Sequence, residues 1–253
     1  KRIPSGIKYA LIKITYNGHC CTLKENLIEY VKQLLNVDED TIENGIINLK
    51  TNNEIIIEER ENEKWIYLYN FYKTEEKIAQ RIMKLNNAKN QKKVANIEKE
   101  LKLIEEKTDI ILSEKQKEAI RAINDNNVTI ITGGPGTGKT TIIKTIIDIY
   151  QQKKYKTVLC APTGRAAKRM SETTGQEACT LHRLLEIGKF DEESVLKKDT
   201  EYQGAPIDGD IIIVDEMSMV DMFLMSYLLD CIYLGTKLIL VGDSDQLPSV
   251  GPG

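Results

Sequence analysis

"VTIITGGPGTGKTTIIKTIIDIY", residues 128–150, decides the fold. Val128 to Thr132 form a β-branched run of strand length, and Ile142, Ile143, Ile146 and Ile147 recur behind it at helical spacing. Between them Gly133, Gly134, Pro135, Gly136, Thr137, Gly138, Lys139, Thr140 and Thr141 fit G-x-x-x-x-G-K-S/T, the phosphate-binding loop. Glycines let the backbone turn its N–H groups inward around phosphate oxygens, and a helix N-terminus adds partial positive charge. Lys139 is expected to reach the β- and γ-phosphates, with the Thr140 hydroxyl on Mg2+. The loop therefore predicts a bound nucleoside triphosphate with Mg2+.

Outward from the loop, short apolar runs at Val128–Thr132, Thr157–Ala161, Ile211–Val214 and Lys237–Val241 alternate with helical patterns. Buried parallel strands joined by helices follow, so residues 112–253 are expected to form an α/β lobe. "IIIVDE" sets Asp215 and Glu216 at the C-terminal end of a strand, where ligands of open α/β sheets lie. Asp215 is expected to hold Mg2+, directly or through water. Glu216 is expected to orient and deprotonate a water, which makes the reaction hydrolysis of the terminal phosphate. "LVGDSDQLPSVGPG" places Asp243, Asp245 and Gln246 just past another strand, with Gln246 a candidate γ-phosphate sensor. In "LSEKQ", Ser113 and Gln116 satisfy a capping box, yet the Gln116 amide also matches the adenine edge, and both readings stand. In "APTGRAAKRM", Pro162, Thr163 and Gly164 lead into a helix whose Arg165, Lys168 and Arg169 share one face suited to the phosphates of a strand. "TLHRLL" reads as core leucines, with His182 packed or capping rather than catalytic, though it is grouped with the DNA-binding candidates.

Before the lobe, residues 1–70 show helical stripes at Ile7, Ala10, Leu11 and Ile14, at Leu27, Val31, Leu34 and Leu35, and at Ile42, Ile46 and Leu49. The second helix is expected to start at Thr22, capped by its hydroxyl with Glu25 three residues on. Alternation around a charged centre in "EIIIEERENEKWIYLYN" signals a β-hairpin, and three helices with a hairpin suggest a winged helix. Its third helix is approached by Asp38, Glu39, Asp40 and Glu43 against Lys50 alone, which favours a structural or protein-contact role over DNA reading. Residues 71–111 read as a charged helical connector, broken at "NNAKNQKK", with stripes at Ile78, Ile82, Leu85 and at Val94, Ile97, Leu101, Ile104.

At 253 residues and 41% hydrophobic content, two units are expected. A formal net charge of -3 provides no global basic field, so any nucleic acid must be held by a local groove. Five scattered cysteines suggest reduced thiols, and adjacent His19, Cys20 and Cys21 cannot converge on one zinc ion unaided. No leader or membrane-length apolar run occurs, which points to a cytoplasmic protein without membrane contact.

Together GGPGTGKTT, APTGRAAKRM, TLHRLL, VDEMSMVD and LVGDSDQLPSVGPG resemble the motif series of the RecD/TraA-type superfamily 1 DNA helicases. The chain is particularly similar to the long-form RecD-like enzymes that act without RecB and RecC, densely over Leu112–Gly253 and loosely over "LYNFYKTEEKIAQRI". This resemblance implies a RecA-like first motor lobe, a Gln116 that contacts adenine and an Arg165 within the single-stranded-DNA motif. It places a strand-separating hairpin at 187–208 and implies translocation from 5′ to 3′. Family members also carry a second lobe with an arginine finger. With Lys1 first and Gly253 inside a motif, the chain reads as a piece holding half of an ATP site, able to bind nucleotide with negligible turnover. The expected function is an ATP-dependent DNA helicase or translocase, monomeric, with single-stranded DNA as partner. An RNA-directed superfamily 1 ATPase and a nucleotide-gated protein-binding module are the alternatives.

Overall fold

Apolar stripes at Ile7, Ala10 and Leu11, at Leu27 and Val31, and at Ile42, Ile46 and Leu49 gather three amphipathic helices around one core. They are α1 (Arg2–Thr15), α2 (Lys24–Leu35) and α3 (Glu39–Thr51). The computed structural model describes residues 2–187 and 204–253. A three-stranded antiparallel sheet, order β1-β3-β2, covers the helices: β1 (Cys21–Leu23), β2 (Ile55–Arg60) and β3 (Glu63–Leu68). Glu61 and Asn62 join β2 to β3 with φ of 51° and 70°, the positive pair whose twist matches a two-residue hairpin.

The start of α2 differs from expectation. Thr22 lies in β1, opposite Ile66, and Leu23 precedes the helix without any side-chain cap. Pairing with β3 satisfies the backbone of residues 21–23, an arrangement that competes successfully with a single hydroxyl cap.

The lobe is a five-stranded parallel sheet of order β4-β8-β7-β5-β6. Its strands are β4 (Val128–Thr132), β5 (Thr157–Ala161), β6 (Ala178–Thr180), β7 (Ile211–Val214) and β8 (Lys237–Gly242). Alternation along the strands fills both faces. Ile211, Ile213, Ile239 and Val241 meet one cluster, while Ile212, Val214, Leu238 and Leu240 meet the other. On the first face lie α5 (Ile97–Thr108), α6 (Glu114–Asp125), α7 (Lys139–Gln152) and α8 (Gly164–Thr174). On the second lie α4 (Tyr69–Asn87), α9 (Leu181–Leu184) and α10 (Met222–Asp230). The α/β class and the four longer strands are as the sequence predicts; β6, three residues long, is not anticipated.

The connector helices pack on opposite faces, with Leu85 of α4 in one cluster and Leu101 and Ile104 of α5 in the other. Val94, read as part of a helical stripe, precedes α5 and is clamped by the Asn124 side chain at 2.8 Å and 3.0 Å. At the opposite edge of the sheet from the loop, Lys237 is buried to 1% exposure. Its ammonium donates to the carbonyls of Ile123, Asn124 and Asn126 at 2.8, 3.1 and 2.8 Å, capping the C-terminal end of α6. The N-terminal unit docks on α10: Met222 enters its core, and the rings of Phe71 and Phe223 meet edge-on at 5.2 Å. Most of the expected hairpin at 187–208 lies outside the described residues.

Candidate nucleotide site and adjoining cleft

A parallel sheet sends every strand's C-terminal end to one edge, and here that edge carries both groups of candidates. Neighbouring β4, β8 and β7 bring the glycine loop, Asp243–Gln246 and Asp215–Glu216 side by side. Pro162–Arg169 follow β5 and His182 follows β6, at the other end of the same edge.

The loop is shaped by its glycines. Gly136 and Gly138 have φ of 76° and 85°, and a Cβ on Gly138 would lie 2.2 Å from the Gln116 amide nitrogen. Gly138 gives α7 no side-chain cap, which leaves that helix end for an anion. Lys139 Nζ donates to the Gly133 carbonyl and, at 3.0 Å, to that of Gly134. Thr137 Oγ1 also donates to Gly134, at 2.9 Å. Gln116 does two things at once. Its Oε1 accepts from the Ser113 N–H at 2.9 Å to close the capping box, while its Nε2 donates to the Gly138 carbonyl at 3.4 Å.

Asp215 Oδ1 accepts from the Glu216 N–H at 2.9 Å. Glu216 takes φ 56°, a left-handed conformation that costs a non-glycine residue about 1–2 kcal/mol. That turn lays the 3-10 segment Met217–Met219 on the end of β8, where a Cβ on Gly242 would approach Met217 Cβ to 3.3 Å. Buried Asp243 organises the next loop, accepting from Asp245 N at 3.1 Å and from Gln246 Nε2 at 3.4 Å. Among the described residues no group of three or more His, Cys, Asp or Glu side chains could hold a metal ion. The Thr140 hydroxyl and Asp215 carboxylate nonetheless fit Mg2+, a cation that takes few protein oxygens and completes its shell with phosphates and water.

At the other end, Thr163 caps α8 by accepting from Ala166 N at 3.2 Å, so its hydroxyl serves the helix. Gly164, Arg165, Lys168 and Arg169 are exposed, and Lys168 lies 3.9 Å from Glu172 in a solvent-screened pair of little energetic weight. His182 is exposed on α9, whose N-terminal cap is Thr180, accepting from Arg183 N at 3.2 Å. Leu181 and Leu185 are buried, as read. Burial pushes the thiols of Cys160 and Cys179 up, so neither strand beneath supplies a thiolate.

Pro162, Thr163 and His182 form one side of a cleft of about 690 Å³. Residues the sequence reading missed make up much of the rest: Ile12, Thr15 and Tyr16 from α1 and its end, and Met219 and Asp221 after β7. Only Asp221 carried a signal, as a capping acid before an apolar helical run; it accepts from Leu224 N at 2.8 Å. Residues 249–252 line the cleft as well and are held there. A Cβ on Gly251 would meet Asp221 Oδ2 at 2.4 Å, and Pro252 accepts from Met222 N at 3.0 Å.

Residues 116–252 match the family described as AAA domain. The chain is 41% identical over 142 residues to the ATP-dependent RecD2 DNA helicase of Deinococcus radiodurans, covering 56% of this chain and 19% of that protein. It is 35% identical over 212 residues to the RecBCD enzyme subunit RecD of Buchnera aphidicola subsp. Acyrthosiphon pisum, covering 76% of this chain and 34% of that protein. The crystal structure of Pif1 helicase from Candida albicans overlaps 55% of this chain and 34% of its own at 28% identity, with a TM-score of 0.39, too low to weigh on the fold. The chain thus spans between about a fifth and a third of the length of these two RecD-type relatives. With more than half of its residues inside the match, the chain belongs to the AAA domain family.

Proposed function

We propose that this chain is the nucleotide-binding, strand-holding part of an ATP-dependent DNA helicase or translocase. The observation that carries the reading is the shared sheet edge: a phosphate loop with two acids at β4, β8 and β7, beside a cleft lined by Pro162, Thr163 and His182 after β5 and β6, with exposed arginines on the helix that Thr163 caps. The names of the relatives support it. Residues 1–70 are read as a winged-helix-like domain, 71–111 as its connector and 112–253 as the motor lobe, acting as a monomer in the cytoplasm.

In this reading Lys139 exchanges its two loop carbonyls for the β- and γ-phosphates, where its charge meets the charge that develops on transfer. Thr140 and Asp215 hold Mg2+, which supplies charge neutralisation when bound. Glu216, aimed by its left-handed turn, takes the proton of the attacking water, and Gln246, steadied by Asp243, senses the terminal phosphate. Gln116 presents adenine with an amide already fixed by the capping box. Pro162, Thr163, Gly164, Arg165, Lys168, Arg169 and His182 hold the strand, and movement proceeds from 5′ to 3′ by resemblance to the family.

The test is linkage. Affinity for an oligothymidylate is measured with and without a non-hydrolysable ATP analogue, and affinity for the analogue with and without the oligonucleotide. Both are expected to change by the same factor, since coupling between two sites is reciprocal. Tighter binding to oligouridylate would favour the RNA-directed alternative, and nucleotide binding with no oligonucleotide binding would sink the strand-holding role.

A further inference from the structure

The N-terminal unit reaches the cleft through α1, not through α3. Tyr9, Lys13 and Tyr16 stand at i, i+4 and i+7, one exposed stripe on the side of the helix away from buried Ile7, Ala10 and Leu11. Lys13 Nζ lies 5.4 Å from the centre of the Tyr9 ring and 5.3 Å from that of Tyr16, so one cation is held between two aromatic faces. Tyr16 is 61% exposed and lines the same cleft as Thr163, His182 and Val250. The stripe therefore begins in the cleft and runs about 10 Å along α1, at 1.5 Å per residue.

We propose that this stripe is the second wall of a single-strand path, with Tyr16 a stacking platform for a base and Lys13 a phosphate contact beside it. The inference rests on the strand-holding role of the cleft and adds to it a site on the other unit. A side wall that binds single strands without sequence preference needs an aromatic face for a base and a cation near the backbone, and α1 presents both in register. Cations of the same sign stand nearby, because exposed Arg165 and Arg169 lie on α8, whose capping Thr163 lines the cleft. A protein partner is the less favoured occupant. Lys13 sits at the centre of the stripe, whereas protein interface cores are depleted of charged residues and of lysine in particular. The acidic approach to α3 is no obstacle, since the strand does not run there.

The test is binding of an oligothymidylate of about 15 nucleotides, followed by fluorescence anisotropy as salt is raised. Tyr16→Ala is expected to weaken binding about tenfold, within the range found for loss of one base–aromatic stack. Tyr16→Phe is expected to keep wild-type affinity, because the ring and not the hydroxyl stacks. Lys13→Ala should lower the salt slope by about 0.7, the value of one phosphate on a single strand. All three variants change exposed side chains, and thermal melting checks that they fold. Wild-type affinity in Tyr16→Ala, with binding lost in Arg165→Ala/Arg169→Ala, would overturn the second wall while leaving the cleft's role intact. Absence of oligonucleotide binding by the unaltered chain would overturn both. Self-association that Tyr16→Ala removes, with oligonucleotide affinity unchanged, would assign the stripe to a second copy of the chain and overturn the proposal.

Discussion

The two ends of the sheet's C-terminal edge are built from different materials. At β4, β8 and β7 the site is mostly main chain: left-handed glycines, carbonyls that hold Lys139, and a helix end without a side-chain cap. At β5 and β6 it is mostly side chains, and those come from segments as far apart in sequence as Tyr16, His182 and Val250. A main-chain site needs particular residues at fixed spacing, because only they permit the backbone path. A side-chain wall needs only ring, charge or bulk delivered to the right place, and many sequences deliver that.

The comparison predicts that single changes are more damaging at the first end than at the second. The largest effect is expected from Gly138→Ala, which strains a φ of 85° and drives a methyl into the Gln116 amide. Mg-ATP binding, measured by titration calorimetry, should be lost while oligonucleotide binding persists; retained nucleotide affinity would show that the loop's path is not the determinant. Lys139→Ala comes next, with about a hundredfold weaker Mg-ATP binding, as loss of one strong charge-assisted contact of about 3 kcal/mol implies. At the cleft end, Arg165→Ala with Arg169→Ala should lower the salt slope of single-strand binding by about 1.4, two contacts at ~0.7 each. An unchanged slope would mean that α8 lies off the path. Smallest is Gln116→Ala, expected to cost about 1 kcal/mol in urea unfolding through the lost capping box. Restoration of stability but not of nucleotide affinity by Gln116→Glu would separate the cap from the adenine contact.

Away from both ends, Lys237→Met provides a reference. It should destabilise the lobe by about 2–3 kcal/mol, because two α6 carbonyls and that of its C-cap Asn126 lose a charged donor, without altering either binding site. An equal loss of nucleotide affinity would indicate that α6 carries strain from its C-terminal end to Gln116.

What could be read from sequence follows the same division. Ile211–Val214 announces itself because a strand buried on both faces must be continuously apolar, whereas β4, an edge strand with Ile130 73% exposed, is legible from its β-branched run ahead of the glycine loop. The glycine loop is legible for the reason already given. β1 and β6 are not, since three residues are too few for any periodicity, and the missed β1 also misplaced the start of α2 at Thr22. His182 sits beside core leucines in sequence but turns outward, which a four-residue helix decides through its tertiary setting. Tyr16 carried no signal: an aromatic after a helix is ordinary until the fold brings it into one cleft with Thr163. At Gln116 the capping box is formed through Oε1, while Nε2 donates to the Gly138 carbonyl.

Lys139, turned back on Gly133 and Gly134, makes the loop its own competitor. Nucleotide binds productively only in that fraction of molecules whose ammonium has let go, so the apparent dissociation constant is the intrinsic one divided by that fraction. A preference of about 1.4 kcal/mol for the self-occupied arrangement would weaken observed affinity tenfold. A first ligand that draws Lys139 away from its carbonyls would then raise affinity for the next without any contact between the two, which is cooperativity residing in a single side chain.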